Sequence, residues 1–268
     1  MALSPKYSDE SVVVIETFTR DKVRDAGAKG VVLGLSGGLD SAVVAAMSAR
    51  ALGPERVLCI MMPEMATPPK EMEDAHELAH NLGVEHMTVD LEPVMEAFRQ
   101  QLGGDVEDRA FGNVKARARM TVLYYHGQIR GYLVMGTGNK SELLMGYFTK
   151  YGDGGVDYQP LGDLYKTQVR GLAPDIGVPQ AFIDKPPSAN LLPGQTDEDD
   201  MGIAYEDLDR ILLGIEIGMS DEDIAVRTDL PATEVARVRG VVHATKHKRR
   251  IPLAPKLGIR SIGWDWRE

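Results

Sequence analysis

Eight consecutive residues constrain this chain more than any others: Gly34-Leu35-Ser36-Gly37-Gly38-Leu39-Asp40-Ser41. Before them, Gly30-Val31-Val32-Leu33 is a short apolar run rich in β-branched residues. After them, Ala42-Val43-Val44-Ala45-Ala46-Met47 is good helix material. The spacing predicts a strand, a tight glycine turn and a helix. Such a turn aims several backbone N–H groups and the positive end of a helix at one point, which suits an anion. Glycine lets the backbone approach a phosphate with no Cβ in between. Ser36 and Ser41 add hydroxyls. Asp40 is discordant, because a carboxylate beside a phosphate repels it unless a cation lies between them. Magnesium, which takes carboxylate and phosphate oxygens together, is the natural bridge. The bland alternative is an ordinary strand-to-helix turn. The stretch lacks the Gly-Lys-Ser/Thr ending of a P-loop and the third glycine of a dinucleotide fingerprint.

The flanking pattern sets the fold. Residues 11–24 read as a first helix, 55–63 as a second strand ended by Pro63, and Pro69–Leu82 as an acidic amphipathic helix closed by Gly83. A third strand follows at 85–89, a helix at 91–102, a helix at 113–125 and a fourth strand at 131–136. Strands alternating with helices predict an α/β fold, a doubly wound and mostly parallel sheet covered on both faces. Ligands bind beyond the carboxyl ends of such strands. The Gly34–Ser41 loop lies at one such end, and Thr137-Gly138-Asn139-Lys140-Ser141-Glu142 lies at another. Residues 146–160, rich in glycine and aromatics, read as a long functional loop. A helix is expected at 167–175, an extended proline-containing segment at 185–190 and an acidic, mobile stretch at 195–202.

The last third is helical: 205–218, then Asp221–Thr228 and 232–245 joined by a proline turn, with the basic Lys246-His247-Lys248-Arg249-Arg250 behind. Two short helices and a basic tail are compatible with a helix-turn-helix on DNA, but helical hairpins are common packing units. The formal net charge of −10 opposes a nucleic-acid partner. With 268 residues, 43% hydrophobic, the chain can bury a large core, and one domain is the economical reading. No apolar run approaches a membrane span, the N-terminus is not a signal peptide, and a cytoplasmic location is expected. The single cysteine, Cys59, lies in a predicted apolar strand, where a buried inert thiol is the expected state.

The pattern Ser-Gly-Gly-x-Asp-Ser resembles the pyrophosphate loop of the ATP pyrophosphatases. Four segments in order narrow that resemblance. They are residues 36–41, Asn113-Val-Lys-Ala-Arg-Ala-Arg-Met120, Gly136-Thr-Gly-Asn-Lys-Ser-Glu142 with Phe148-Thr-Lys-Tyr-Gly-Asp-Gly-Gly155, and Lys246–Arg250. Over about residues 11–252 the chain resembles the ammonia-dependent NAD synthetases. The resemblance implies an adenine nucleotide alpha hydrolase-like α/β core with a helical C-terminal part. It implies ATP- and magnesium-dependent amidation of deamido-NAD by ammonia through an adenylated intermediate, giving NAD, AMP and pyrophosphate, and an obligate homodimer. Residue by residue, it implies that Gly34, Leu35, Ser36, Gly37, Gly38, Leu39, Asp40 and Ser41 cradle ATP phosphates, with Thr137, Lys166 and Ser188 also on ATP. Asp40 and Glu142 would hold magnesium. Arg117, Lys150, Asp157, His247 and Lys248 would hold deamido-NAD, and Asp157 could also place ammonia. Arg119 could exchange roles with Arg117.

Each assignment has a plainer rival. On residue type alone, Lys166 is an exposed surface lysine, and Glu142 is a first-turn carboxylate favoured by the helix dipole. The chain also departs from the family pattern. Gly138 and Asn139 stand where many members have Asp and His, Ser188 stands where Thr is usual, and Asn190 where Asp is frequent. Residues 64–70 do not match the glutamine-containing loop expected on the adenine side, so no adenine contacts are assigned there. Glutamine-dependent relatives carry an extra domain with a cysteine nucleophile for which this chain has no room, so free ammonia is the expected donor unless a separate subunit supplies it. Two other readings remain open: an ATP pyrophosphatase adenylating a different acceptor, and a non-catalytic nucleotide-binding protein.

Overall fold

The structure is a computed structural model that describes residues 3–8, 10–64, 67–103, 109–188 and 196–261. Helix α1 (Glu10–Asp25) leads into β1 (Gly30–Gly34) and α2 (Leu39–Leu52). Then come β2 (Val57–Met61), α3 (Pro69–Leu82), β3 (Glu85–Thr88), α4 (Glu92–Leu102), α5 (Arg109–Arg130) and β4 (Tyr132–Val134). The four strands form one parallel sheet in the order β3-β2-β1-β4. Side chains alternate across it with a period of two. Val31 and Leu33 of β1 and Val57, Cys59 and Met61 of β2 join the core beneath α1 and α2. Val32, Leu58 and Ile60 face the opposite layer, with Leu123 of α5 and Val134. Strands buried on both faces read as unbroken apolar runs, as β1 and β2 do.

The elements lie close to where the sequence places them. The 55–63 run opens with a 3-10 turn at Pro54–Arg56, so its strand is five residues long. The 113–125 helix extends in both directions to 22 residues. The fourth strand shortens to three residues, because the backbone beyond Val134 pairs with a passing loop: Met135 bridges Tyr158, and Gly136 N–H donates to Tyr158 O at 2.9 Å. Residues 146–160 form no helix or strand, as expected of a long loop.

A second apolar cluster holds the C-terminal part. It joins α6 (Lys140–Met145), α9 (Asp197–Met201), α10 (Tyr205–Glu216), α11 (Asp221–Thr228) and α12 (Ala232–Ala244), with Met145, Tyr165, Met201, Tyr205 and Leu208 central to it. Between α6 and α9, α7 (Lys166–Leu172) and α8 (Gln180–Ile183) instead join the sheet core through Val169, Leu172 and Phe182. Ile224 of α11 and Val235 and Val238 of α12 are fully buried in the second cluster. The helical pair is therefore a packing unit, and the basic tail is engaged: Lys248 and Arg249 donate to main-chain carbonyls of residues 143–148 and 242. The expected acidic stretch at 195–202 is structured from Thr196, whose hydroxyl caps α9 by accepting from Asp199 N–H at 3.1 Å. Asn190 lies outside the described residues, as do Met65 and Ala66 of the 64–70 loop.

Gly30 opens β1 between its two neighbours. A Cβ there would stand 2.3 Å from Arg56 O and 2.8 Å from Tyr132 Cζ. Gly30→Ala should lower stability by about 1–3 kcal/mol, as overpacking does. The check is the urea midpoint, and an unchanged midpoint would refute this account of the strand packing.

Candidate active site

The sheet order dictates where a ligand can sit. From β1 the chain crosses to β2 on one side, and it returns much later to place β4 on the other. The crevice at that reversal lies beyond the carboxyl ends of β1 and β4. Here the structure has a cleft of about 680 Å³ lined by both strand-end loops. The β1 loop is bound to itself through its serines. Ser36 N–H donates to Ser41 Oγ at 3.2 Å, and Ser41 Oγ donates to Gly38 O at 3.0 Å. Gly37 has φ of +76°, which only glycine adopts readily. Gly38 is the N-cap of the 14-residue α2, so the helix N-terminus opens into the cleft.

Three charged side chains meet above this loop. Asp40, in the first turn of α2, accepts through Oδ2 from Lys166 Nζ. Glu142, in the first turn of α6, brings Oε1 to 4.0 Å from the same ammonium. Its other oxygen closes a capping box, accepting from Asn139 N–H at 3.2 Å while Asn139 Oδ1 accepts from Glu142 N–H at 3.0 Å. The sequence spacing Asn-x-x-Glu thus holds the carboxylate in place. Lys166, 4% exposed, starts α7, and its ammonium also lies 5.5 Å over the Tyr205 ring. It is not the surface lysine that its residue type suggests. Burial and the nearby Asp40 raise the Glu142 pKa well above the usual carboxylate range. Burial pulls the Lys166 pKa down, but Asp40 and Glu142 more than reverse this, so the amine stays protonated.

Beneath these groups lies Asp209 of α10, fully buried. It accepts from Ser141 Oγ, from Thr167 N–H at 2.9 Å and from Thr167 Oγ1 at 2.8 Å, and Ser141 Oγ in turn accepts from Lys166 N–H at 2.9 Å. One carboxylate therefore fixes the residues adjacent to Glu142 and Lys166. A further acid, Asp197, is 4% exposed, accepts from Tyr205 OH at 3.1 Å and leaves Oδ1 buried with no partner among the described residues. Burial raises its pKa. Sequence reasoning missed both. Asp197 is hidden in the acidic run Asp197-Glu198-Asp199-Asp200, and only burial distinguishes it.

The expected ATP residues gather as a group. Of Gly34 to Ser41, all but Gly37 line the cleft, with Thr137, Glu142, Lys166 and Ser188. The residues assigned to deamido-NAD do not all gather. Lys248 lines the cleft. Arg117, Lys150 and His247 form a chain outside it: Arg117 donates to Lys150 O at 3.3 Å, and Lys150 Nζ to His247 O at 3.1 Å. Asp157 is exposed at the β4 edge, accepting from Val134 N–H at 2.7 Å and Tyr124 OH at 3.1 Å. Arg119, two residues from Arg117 and thus on another helix face, lines the cleft and pairs with Glu64 at 3.1 Å. Lys115 pairs with the same carboxylate at 2.8 Å. Cys59 is fully buried, and burial pushes its thiol up to about 12, so it is inert.

A glycine-rich phosphate loop on one strand and a carboxylate on the next define an α/β enzyme of the ATP pyrophosphatase type. The sequence model of NAD synthase matches residues 11–252, and the chain belongs to the NAD synthase family. The NH(3)-dependent NAD(+) synthetase of Methanococcoides burtonii is 46% identical over 256 residues, covering 94% of this chain and 96% of that one. Among solved structures, an NMN synthetase from Francisella tularensis has a TM-score of 0.82 at 34% identity, covering 94% of this chain and 100% of that one. The NH3-dependent NAD synthetase of Campylobacter jejuni, in complex with nitrate, has a TM-score of 0.78 at 31% identity, covering 92% and 98%.

Lys166→Met removes the cation between Asp40 and Glu142. Breaking such a buried pair should cost about 3–5 kcal/mol. Carboxyls left without a cation bind protons more tightly when folded than when unfolded, so the variant should lose stability as pH rises above the usual carboxylate range. The deficit in melting temperature should therefore shrink from about pH 8 to about pH 5. A deficit independent of pH would contradict the assignment.

Proposed function

We propose that this protein amidates deamido-NAD with ammonia at the expense of ATP, giving NAD, AMP and pyrophosphate. The observation that carries the reading is the convergence of Asp40, Glu142 and Lys166 over a glycine-rich loop, in a chain of the NAD synthase family. A carboxylate resists attack by ammonia until it acquires a good leaving group. The nicotinate carboxylate oxygen attacks the α-phosphorus of ATP, the bond to the β-phosphate breaks, and pyrophosphate leaves. Ammonia then adds to the acyl carbon, AMP departs, and one proton is lost from nitrogen.

The chain's residues suit the first half of this reaction. The N–H groups of the β1 loop and the α2 N-terminus bind the departing pyrophosphate, where negative charge grows. Lys166 supplies a fixed positive charge beside it, and Thr137 and Ser188 offer hydroxyls to ATP. Asp40 and Glu142 fit magnesium, which binds through one or two carboxylates plus phosphate oxygens. Asp40 Oδ1 is buried with no partner among the described residues, and Glu142 Oε1 stands near the same ammonium. Held there, the ion would offset the charge of the triphosphate. Lys248, with Arg117, Lys150, His247 and Asp157 beyond the cleft, is assigned to the dinucleotide. A cytoplasmic location belongs to the same reading; among the described residues no helix is long and apolar enough to cross a membrane.

The decisive experiment supplies ATP, magnesium and ammonium with either deamido-NAD or nicotinate mononucleotide, with glutamine replacing ammonium in parallel. NAD and AMP should form in equal amounts from deamido-NAD with ammonium and not with glutamine. Faster turnover of the mononucleotide would transfer the reading to NMN synthesis, the activity named for the F. tularensis protein. AMP with neither amide would mean a different acceptor.

The proposal includes a homodimer. Val13, Val14 and Phe18 of α1 and Tyr125 and Ile129 of α5 are exposed apolar side chains, a pattern that favours burial against a second copy. Light scattering should give twice the 29.3 kDa chain mass at micromolar concentration, and a single-chain mass would remove the dimer from the proposal.

A further inference from the structure

The phosphate loop is braced from outside by a residue to which the reaction above gives no role. Lys185 follows α8 and lines the cleft. Its ammonium donates to Gly37 O at 3.1 Å and pairs with Glu71 Oε1 at 2.6 Å. Glu71 lies in the first turn of α3 and is 7% exposed. One lysine thus joins the β1 loop, α3 and the segment that leads to Ser188. The loop and α3 also touch directly, since a Cβ on Gly37 would stand 2.7 Å from Glu71 O.

The contact falls where the loop is least constrained. The peptide unit between Gly37 and Gly38 has no Cβ on either side, so little steric resistance keeps it from turning over. In a trans peptide, the Gly37 carbonyl and the Gly38 N–H point in opposite directions. One orientation offers a donor to an anion; the other presents an oxygen that repels it. Here the carbonyl is held by Lys185, while the Gly38 N–H points into the loop, donating to Ser36 Oγ at 3.3 Å. A charged donor on a carbonyl is among the stronger hydrogen bonds, and Glu71 keeps that donor in place.

We propose that Lys185 is a positioning residue for ATP: with Glu71 it locks the Gly37–Gly38 peptide so that its carbonyl oxygen is kept off the anion and its N–H stays turned into the loop. It touches no reacting atom. This rests on ATP being the nucleotide bound at the loop. A lock on a preformed site acts equally on bound substrate and transition state, so its loss belongs in KM rather than kcat.

The test compares wild type, Lys185→Met, Lys185→Arg and Glu71→Gln by calorimetric ATP affinity and by kinetics with ATP varied. Lys185→Met should weaken ATP about tenfold, the order expected for a lost charged hydrogen bond. The change should appear in KM for ATP, with kcat and KM for the acceptor little altered. Lys185→Arg should recover most of the affinity, and Glu71→Gln should weaken ATP in the same direction by less. Unchanged ATP affinity in Lys185→Met would overturn the proposal. So would tighter ATP binding in Glu71→Gln, which would mean a freed Lys185 contacts phosphate itself. A wild-type protein that binds ATP but makes no NAD would defeat the proposed reaction and leave this test standing, because calorimetry reads ATP alone.

Discussion

Lys166 remains an ammonium in a place where burial favours the neutral amine, because Asp40 and Glu142 are both turned on it. The dependence runs both ways. Two carboxylates in one crevice repel each other, and the Glu142 pKa is raised by burial and by Asp40. The ammonium lets them share the space. Because Asp40 belongs to α2, Glu142 to α6 and Lys166 to α7, this one cluster registers three helix N-termini against each other. Asp209 fixes the same junction from below through Ser141 and Thr167. The site is thus held by charge among groups that would be costly to bury singly.

The sheet makes this meeting possible. Strands in the order β3-β2-β1-β4 put the ends of β1 and β4 side by side, although about a hundred residues separate them. Each strand end then turns into a helix whose first turn carries an acid. Asp40 follows the glycine turn and Glu142 follows the Asn139 cap. A carboxylate in a first turn is favoured by the helix dipole even on a surface. Topology gives these two a joint role, because it aims both dipoles into one crevice.

Local information was enough for the strand, the loop and the helix spans, because hydrophobic period and glycine punctuation are local signals. The glycine turn could be read for the same reason. Burial could not. Lys166 has no local feature that separates it from a surface lysine, and Asp197 sits in a run of four acids of which it alone is buried, with one oxygen that has no partner among the described residues. Arg117 and Arg119 are equivalent in composition and differ only in helical phase, which puts Arg119 at the cleft wall and Arg117 beyond it. The acids Glu64 and Asp209 acquire meaning only through partners about 40 to 70 residues away in sequence. Such pairings are set by tertiary packing, to which a pattern of single residues is blind.

Burial governs the ionisable groups of the cleft. It is the first cause that raises the pKa values of Glu142 and Asp197, with Asp40 adding to it and Lys166 opposing it. Lys248 has a lowered pKa chiefly through burial; Asp153 opposes the shift, and Arg109 and Arg117 add to it. Lys248 spends its hydrogen bonds on the carbonyls of Gly146 and Phe148, at 2.6 Å each, so its charge is not cancelled by an acid on those bonds. Burial thus sets the titration of groups of both signs in this cleft, and the neighbouring ions only trim it.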